Sequence, residues 1–372
     1  MSRVVLSGYY GFGNAGDEAV LYSIIKALRQ EDPLLELIVL SGDPAQTVLD
    51  YRVEAVNRWR PDVVCRELWR ADLIISGGGS LLQDVTGLKS IIYYLGICWL
   101  AKRLGKPVMF YAQGIGPVRS RLGQSLVRLI GNQVDLVTVR DTDSSLLLTS
   151  LGVKCPAIRV TADPVFGLNC DDVNQQAGRD LLTRAGVELE ATGRPLVGIS
   201  VRAWPGWVQS RAVLAQAADT LVRKGWDVIW IPFHFPVDVD AGEAVASFMQ
   251  EKSYVVRISA STEELLGLIG HLQLLIGMRL HALIMAALVG VPCIGISYDP
   301  KIDSFLKLVE MPCAGQIGTL TLPVLTGLIE QLEPEARQPG FPRAQNKVQT
   351  LSDLARENAR LALQLISKQI SS

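Results

Sequence analysis

The chain has 372 residues, 49% of them hydrophobic and 20% charged, enough for two ordinary domain cores and far from a disordered composition. Its 36 Lys+Arg against 37 Asp+Glu leave a net charge of −1, which argues against a surface made to hold nucleic acid and leaves a local basic site for a small anion. Six cysteines (Cys65, Cys98, Cys155, Cys170, Cys293 and Cys313) without a CxxC pair predict buried free thiols in a reducing cytoplasm. Met1 leads straight into Arg3-Val4-Val5-Leu6, without the anatomy of a signal peptide.

In chain order, short β-branched runs alternate with amphipathic stretches. Strands are predicted at 4–7, 36–40, 73–76, 108–111 and 136–139, with helices at 18–29, 90–103, 122–130 and from 142 onward. The strands are apolar on both faces, as parallel strands buried between helices are. Such alternation implies right-handed βαβ units in a doubly wound sheet. A break over 163–195, marked by Asp163-Pro164 and Gly193-Arg194-Pro195, holds one helix near 175–185. The pattern restarts with strands at 197–200, 227–232, 273–276 and 293–297, and helices at 211–224, 241–251, 262–270 (N-cap Thr262) and 281–289. Helices near 323–332 and 348–368 close the chain. Of two long apolar runs, 91–101 is too short to cross a bilayer, and Gly290 and Pro292 divide 281–298. The expected architecture is α/β: two Rossmann-like doubly wound domains facing a cleft. The first covers 1–170, the second 195–345, and a terminal helix 346–372.

Glycines collect where strands end. Gly8-Tyr9-Tyr10-Gly11-Phe12-Gly13-Asn14-Ala15-Gly16-Asp17-Glu18 follows the first strand and opens the first helix, but its spacing is not the dinucleotide fingerprint, and Asp17-Glu18 would repel a pyrophosphate. Two readings stay open: Asp17 accepts a hydrogen bond or proton from a sugar hydroxyl, or Asp17 and Glu18 only cap the helix. Ser76-Gly77-Gly78-Gly79-Ser80-Leu81-Leu82-Gln83-Asp84 follows another strand, and three successive glycines favour close backbone approach to a ligand. Arg140 ends a further strand, where its guanidinium suits a carboxylate or phosphate; the alternative is a surface pair with Asp141 or Asp143.

The densest signal is Gly277-Met278-Arg279-Leu280-His281. Arg279 and His281 fall in the first turn of a helix, where free amides and the helix dipole favour an anion. Lys301 follows the next strand end, in Tyr298-Asp299-Pro300-Lys301. Arginine, histidine and lysine at neighbouring strand ends suit a small, highly charged anion; the plain alternative is that they cap or pack the helix. His271 is expected to sit at a helix C-terminus, and His234 lies on a loop after a strand. No His/Cys/Asp spacing indicates a metal, and there is no Walker sequence or nucleophile elbow.

With these segments in order, together with Gln113-Gly114-Ile115-Gly116-Pro117 and Arg140-Asp141, the chain resembles the polysaccharide pyruvyl transferase family from Leu6 to about Phe305, most closely its CsaB branch. The resemblance implies a GT-B-like fold with no required metal or cofactor. It also implies transfer of the enolpyruvyl unit of phosphoenolpyruvate, as co-substrate, to a sugar, ending as a pyruvate ketal. In the CsaB branch that sugar belongs to a cell-wall polymer. By position, Arg140, Arg279 and His281 resemble the family's donor-binding residues, and Lys301 its basic residue beyond the histidine.

The expected mechanism follows. Arg279, Lys301 and Arg140 hold the donor, and His281 protonates its C3 methylene. Asp17 or Asp84 takes the acceptor's proton, and Gly13, Asn14, Gly78, Gly79 and Gln83 contact the acceptor. Expected partners are phosphoenolpyruvate and a sugar or lipid-linked oligosaccharide. A lipid-linked acceptor would add peripheral contact with the inner face of the membrane, where Trp204, Trp207, Tyr93 and Tyr94 are candidates. Two rivals keep the same architecture: a glycosyltransferase using a nucleotide sugar, and a carbohydrate-binding scaffold without chemistry.

Overall fold

The computed structural model describes residues 2–85, 87–169, 173–188, 193–337 and 345–370. The chain divides into two compact units, Met1–Leu168 with Thr350–Ser372, and Asn169–Gln349.

The first unit is built on seven strands: β1 (Arg3–Ser7), β2 (Glu36–Ser41), β3 (Glu54–Asn57), β4 (Leu73–Gly77), β5 (Val108–Gln113), β6 (Leu136–Val139) and β7 (Ile158–Val160). A helix follows each of the first six: α1 (Ala15–Glu31), α2 (Pro44–Tyr51), α3 (Pro61–Arg70), α4 (Lys89–Arg103), α5 (Arg121–Gly131) and α6 (Thr142–Ser150). All strand pairs are parallel, in the order β3-β2-β1-β4-β5-β6-β7. The order reverses between β1 and β4, so the loops leaving these two strands open onto the switch point of the sheet. Both glycine clusters lie there.

The second unit repeats the plan. α7 (Gln175–Arg184) precedes β8 (Leu196–Ser200), α8 (Ser210–Arg223), β9 (Asp227–Trp230), α9 (Val237–Ala246), β10 (Tyr254–Val255) and α10 (Thr262–Gly270). β11 (Leu274–Gly277), α11 (Leu280–Leu288), β12 (Cys293–Ser297), α12 (Pro300–Leu308), β13 (Cys313–Gln316) and α13 (Leu322–Ala336) follow. The parallel order is β10-β9-β8-β11-β12-β13, with its switch point between β8 and β11. Val197, Ile199, Ile276, Ile294 and Trp230 face one core of this sheet. The last helix, α14 (Gln345–Ile370), has most of its length in the first unit. There buried Asn358 accepts a hydrogen bond from the Thr161 hydroxyl at 3.0 Å, and Arg360 pairs with Glu31.

Nine strands were predicted and all nine are present. The four that were not, β3, β7, β10 and β13, are the four sheet edges. They are short and partly exposed, so they lack the apolar run that marks a central strand. The helices α2, α3 and α12 are likewise absent from the sequence-based expectation. α9 begins and ends earlier than expected; past its end the Gln250 and Glu251 amides turn to the Asp219 carboxylate instead of continuing the helix. Ser261, not Thr262, caps α10, in a reciprocal capping box with Glu264. His271 sits at the C-cap of that helix as expected, its Nε2 3.0 Å from the Gln175 carbonyl. The thiols of Cys65, Cys98, Cys155, Cys293 and Cys313 are free, but Cys65 and Cys155 are exposed, contrary to the expected burial; Cys170 lies outside the described residues. Burial pushes the Cys98 and Cys293 thiols up to about 12, which leaves them inert.

α7 and α10 touch through glycine. A Cβ on Gly178 would stand 2.1 Å from the Gly267 carbonyl carbon. Helix propensity alone favours Gly178→Ala by about 1 kcal/mol, whereas overpacking against backbone costs about 3 kcal/mol. The expected result is a net loss of about 2 kcal/mol, read as a lower denaturant midpoint; an unchanged midpoint contradicts so close an approach.

Candidate active-site residues

In the first unit the turn after β1 is held by its own side chains. The Tyr10 hydroxyl donates to the Gly77 carbonyl at 2.8 Å, joining the first glycine cluster to the second. Glu18 accepts from the Gly11 amide at 2.7 Å and from the Tyr51 hydroxyl at 2.8 Å. Burial raises its pKa above the usual carboxyl range, and these hydrogen bonds only partly oppose that. Glu18 therefore braces the loop. Asn14, at the N-cap of α1, accepts from the Gly16 amide, and Gly13 beside it is exposed.

Asp17 points elsewhere. Gly79 has φ +69°, and a Cβ there would stand 2.6 Å from Asp17 Oδ1, so both backbone and space require glycine. Gly78, with φ +62°, lies closer still on Val20, where a Cβ would stand 1.8 Å from Cγ1. The β1 and β4 loops thus bring Asp17 and the triple glycine together at the switch point. Gln83 accepts from the Val85 amide. Asp84 is committed differently: its carboxylate accepts from the Arg119 amide at 2.9 Å and the Ser120 amide at 2.7 Å. Burial opposes its charge, but those amides outweigh it and hold the group below the usual carboxylate range. A carboxylate anchored in this way braces a loop and makes a poor general base.

Arg140 is not the surface residue of the plain alternative. Its side chain is 6% exposed; Nη1 donates to Asp163 Oδ2 at 2.9 Å and Nη2 to Ser80 Oγ at 3.2 Å. Nε lies 3.5 Å from Asp141, which also caps α6. Burial disfavours its charge, but Asp163 and Asp141, with a smaller contribution from Asp17, raise its pKa overall. Gly114 lies flat on the guanidinium, where a Cβ would come within 2.7 Å. Asp163 carried no signal in sequence beyond its place beside a proline.

In the second unit Arg279 is the N-cap of α11 and His281 lies in its first turn. The Arg279 side chain cannot cap the helix, since a guanidinium has no acceptor for the free amides; it forks instead onto Asp238, Nε at 2.8 Å from Oδ2 and Nη2 at 2.5 Å from Oδ1. Asp238 is fully buried and also accepts from the Phe233 and His234 amides. The His234 loop therefore supports Arg279. The His281 Nε2 atom is buried from solvent. Lys301 lies in the first turn of α12, on the adjacent strand end, with Nζ 3.2 Å from Asp299.

One cation escaped prediction. Arg202, two residues past β8, packs its guanidinium on Trp204 (4.7 Å) and Tyr298 (4.8 Å), and Nη1 donates to the Tyr298 hydroxyl at 2.9 Å. β11 lies between β8 and β12, so this bridge spans the end of β11, where Gly277 and Met278 lead to Arg279. Arg202 Nε and the fully buried Ser200 hydroxyl are without hydrogen-bond partners among the described residues. The signal was legible: a cation just past a strand end, as for Arg140, with Trp204 beside it.

Two parallel sheets, each with its charged residues at strand ends around a switch point, define a GT-B-like α/β fold. The chain belongs to the polysaccharide pyruvyl transferase family, whose model matches residues 14–300. It is similar to the amylovoran biosynthesis protein AmsJ of Erwinia amylovora, with 20% identity, 83% of this chain and 86% of that protein covered. Among solved structures it is similar to the UDP-GlcNAc 2-epimerase of Neisseria meningitidis bound to UDP-GlcNAc (TM-score 0.67, 10% identity, 98% and 100% of the two chains covered). It is also similar to HepE of Anabaena in complex with UDP-glucose (TM-score 0.61, 13% identity, all of both chains). At these identities the structural likeness concerns the fold alone.

The Arg279–Asp238 pair should behave as one unit. Asp238→Ala leaves a guanidinium and two amides without their acceptor and should cost about 3–5 kcal/mol in chemical denaturation. The double variant with Arg279→Ala should lose clearly less than the sum of the singles; additive losses would show that the pair is not coupled.

Proposed function

We propose that the chain is a phosphoenolpyruvate-dependent pyruvyl transferase acting on a sugar of a surface or cell-wall polysaccharide. The observation that carries this reading is the set Arg202, Arg279, His281 and Lys301, all at the carboxyl ends of the adjacent strands β8, β11 and β12, two of them at the N-terminus of α11. In a member of this family, cationic and proton-bearing side chains at adjacent strand ends match a donor with one phosphate and one carboxylate. Arg279, preset by Asp238, and Lys301 hold the phosphate, with α11 amides adding to them. Arg202, stiffened by Trp204 and Tyr298, takes the carboxylate. Arg140 belongs to the first unit, where Asp163 fixes it; we keep it as a donor residue on the family resemblance.

His281 delivers a proton to C3 of phosphoenolpyruvate, turning the methylene into a methyl group and leaving C2 cationic and oxocarbenium-like. A sugar hydroxyl adds to C2 and loses its proton to a base, for which Asp17 is the candidate. The C2–O bond to phosphate breaks, and a second hydroxyl closes the ketal. Its proton leaves with the phosphate, so one enolpyruvyl phosphate and two hydroxyls give one ketal and one inorganic phosphate. Asp84 does not serve as the base, because the Arg119 and Ser120 amides stabilise its charged form. Gly13, Asn14, Gly78, Gly79 and Gln83 remain the acceptor-side residues by their place at the β1 and β4 loops. A lipid-linked precursor as acceptor would bring the protein to the inner face of the membrane.

His281→Ala should reduce acceptor-dependent phosphate release from phosphoenolpyruvate by about 100-fold or more; near-normal release sinks its role. Arg202→Ala should raise the KM for phosphoenolpyruvate by about tenfold, the loss of one charge-assisted hydrogen bond. Phosphoenolpyruvate should raise the melting temperature more than UDP or GDP does; the reverse order would favour a nucleotide-sugar glycosyltransferase.

A further inference from the structure

Between Asp84 and Asp135 the chain has no acidic residue but seven Lys and Arg, in a protein whose net charge is −1. The segment forms α4, β5 and α5, and its charge is therefore concentrated on one part of the first unit. α3, α4 and α5 pack side by side on one face of the sheet, contributing Val64, Leu68, Ile91, Leu95, Val127 and Ile130 to a common core. Their opposite faces are exposed. On α4 the outward stripe is Lys89, Ile92, Gly96, Trp99 and Arg103, spaced three or four apart. On α5 it includes Arg121, Leu122, Arg128 and Leu129, and on α3 Arg66, Trp69 and Arg70.

Three tryptophans on this face are unusually open: Trp59 is 62% exposed, Trp69 65% and Trp99 44%. The Arg103 guanidinium lies 5.4 Å from the Trp99 ring, cation beside aromatic. Arg60, Arg66 and Lys102 are neutralised by Asp62, Glu67 and Asp135, but Arg70, Lys89, Arg103, Arg121 and Arg128 make no ion pair among the described residues. A protein-binding patch of this size ordinarily carries mixed charge, whereas this one is cationic with indole and aliphatic side chains between the cations. That combination suits an anionic lipid surface, where phosphates meet the cations and indoles settle at headgroup depth.

We infer that the outer face of α3, α4 and α5 docks the protein on a bilayer containing anionic lipid. The inference comes from surface charge and exposure alone and does not depend on the proposed reaction. It extends that reading by naming the face that would meet a membrane. The surface differs from the one expected from sequence: Trp204 is half-buried, tilted against Tyr298 with ring centroids 4.7 Å apart, and Tyr94 is buried.

The test is sedimentation of the full chain with vesicles of neutral phosphatidylcholine and of phosphatidylcholine with one-third phosphatidylglycerol, without phosphoenolpyruvate. Binding should occur with the anionic vesicles, be at least tenfold weaker with neutral ones, and fall at least tenfold at 0.5 M salt, about the change expected from screening several contacts. The surface variants Trp99→Ser with Trp69→Ser, and separately Lys89→Glu with Arg103→Glu, should each weaken binding at least tenfold while circular dichroism stays unchanged. Absence of binding, equal binding to neutral vesicles, or full binding by both variants overturns the proposal. So does a concentration-dependent dimer abolished by the same variants, which would make the face a contact between copies. Vesicle binding lost with pyruvyl transfer intact, or the converse, separates failure of this inference from failure of the proposed reaction.

Discussion

Where the order of a parallel sheet reverses, two neighbouring strands send their following helices to opposite faces, and nothing covers the strand ends between them. That constraint operates in each unit, between β1 and β4 and between β8 and β11. The chain meets it with glycines in the first unit and cations in the second. Tyr10 ties the β1 loop to the end of β4, and Gly79 gives way to Asp17. Arg202 reaches from β8 to Tyr298 after β12, over the end of β11. Topology leaves those ends open, and charged side chains can be accommodated there.

Those side chains are held before any ligand arrives. Asp238 forks onto Arg279 and takes two amides, and Asp163 pairs with Arg140 in a nearly buried setting. Removing a guanidinium from water is costly unless a carboxylate accompanies it. Each partner therefore both compensates the burial and fixes the direction of the planar group. Lys301, half-open beside Asp299, keeps more freedom than either arginine. Most of the charge of these two arginines is already balanced, so their partners fix direction more than they leave net positive charge.

A whole-chain charge near zero conceals strong segregation. The helices of the acid-free segment after Asp84, α4 and α5, lie on one face of the first sheet, while the carboxylates Asp17, Asp141 and Asp163 gather near Arg140. Net charge bears on solubility and average behaviour in solution; its distribution decides what each face can approach.

The sequence by itself determined the repeating βαβ plan, the nine central strands, and the segments where chemistry is concentrated, because buried parallel strands and glycine turns leave strong local signatures. Arg279, His281 and Lys301 were legible because a helix N-terminus after a strand is a local feature. The edge strands were not legible, since a half-exposed strand is recognised by its neighbour and not by its own composition. Nor were the partners: Asp238 lies 41 residues from Arg279 and Asp163 lies 23 from Arg140, separations at which no local pattern operates. Asp84 looked like Asp17 in sequence, a carboxylate after a glycine turn. Only the tertiary structure separated them, by bringing the Arg119 and Ser120 amides to one and a triple glycine to the other.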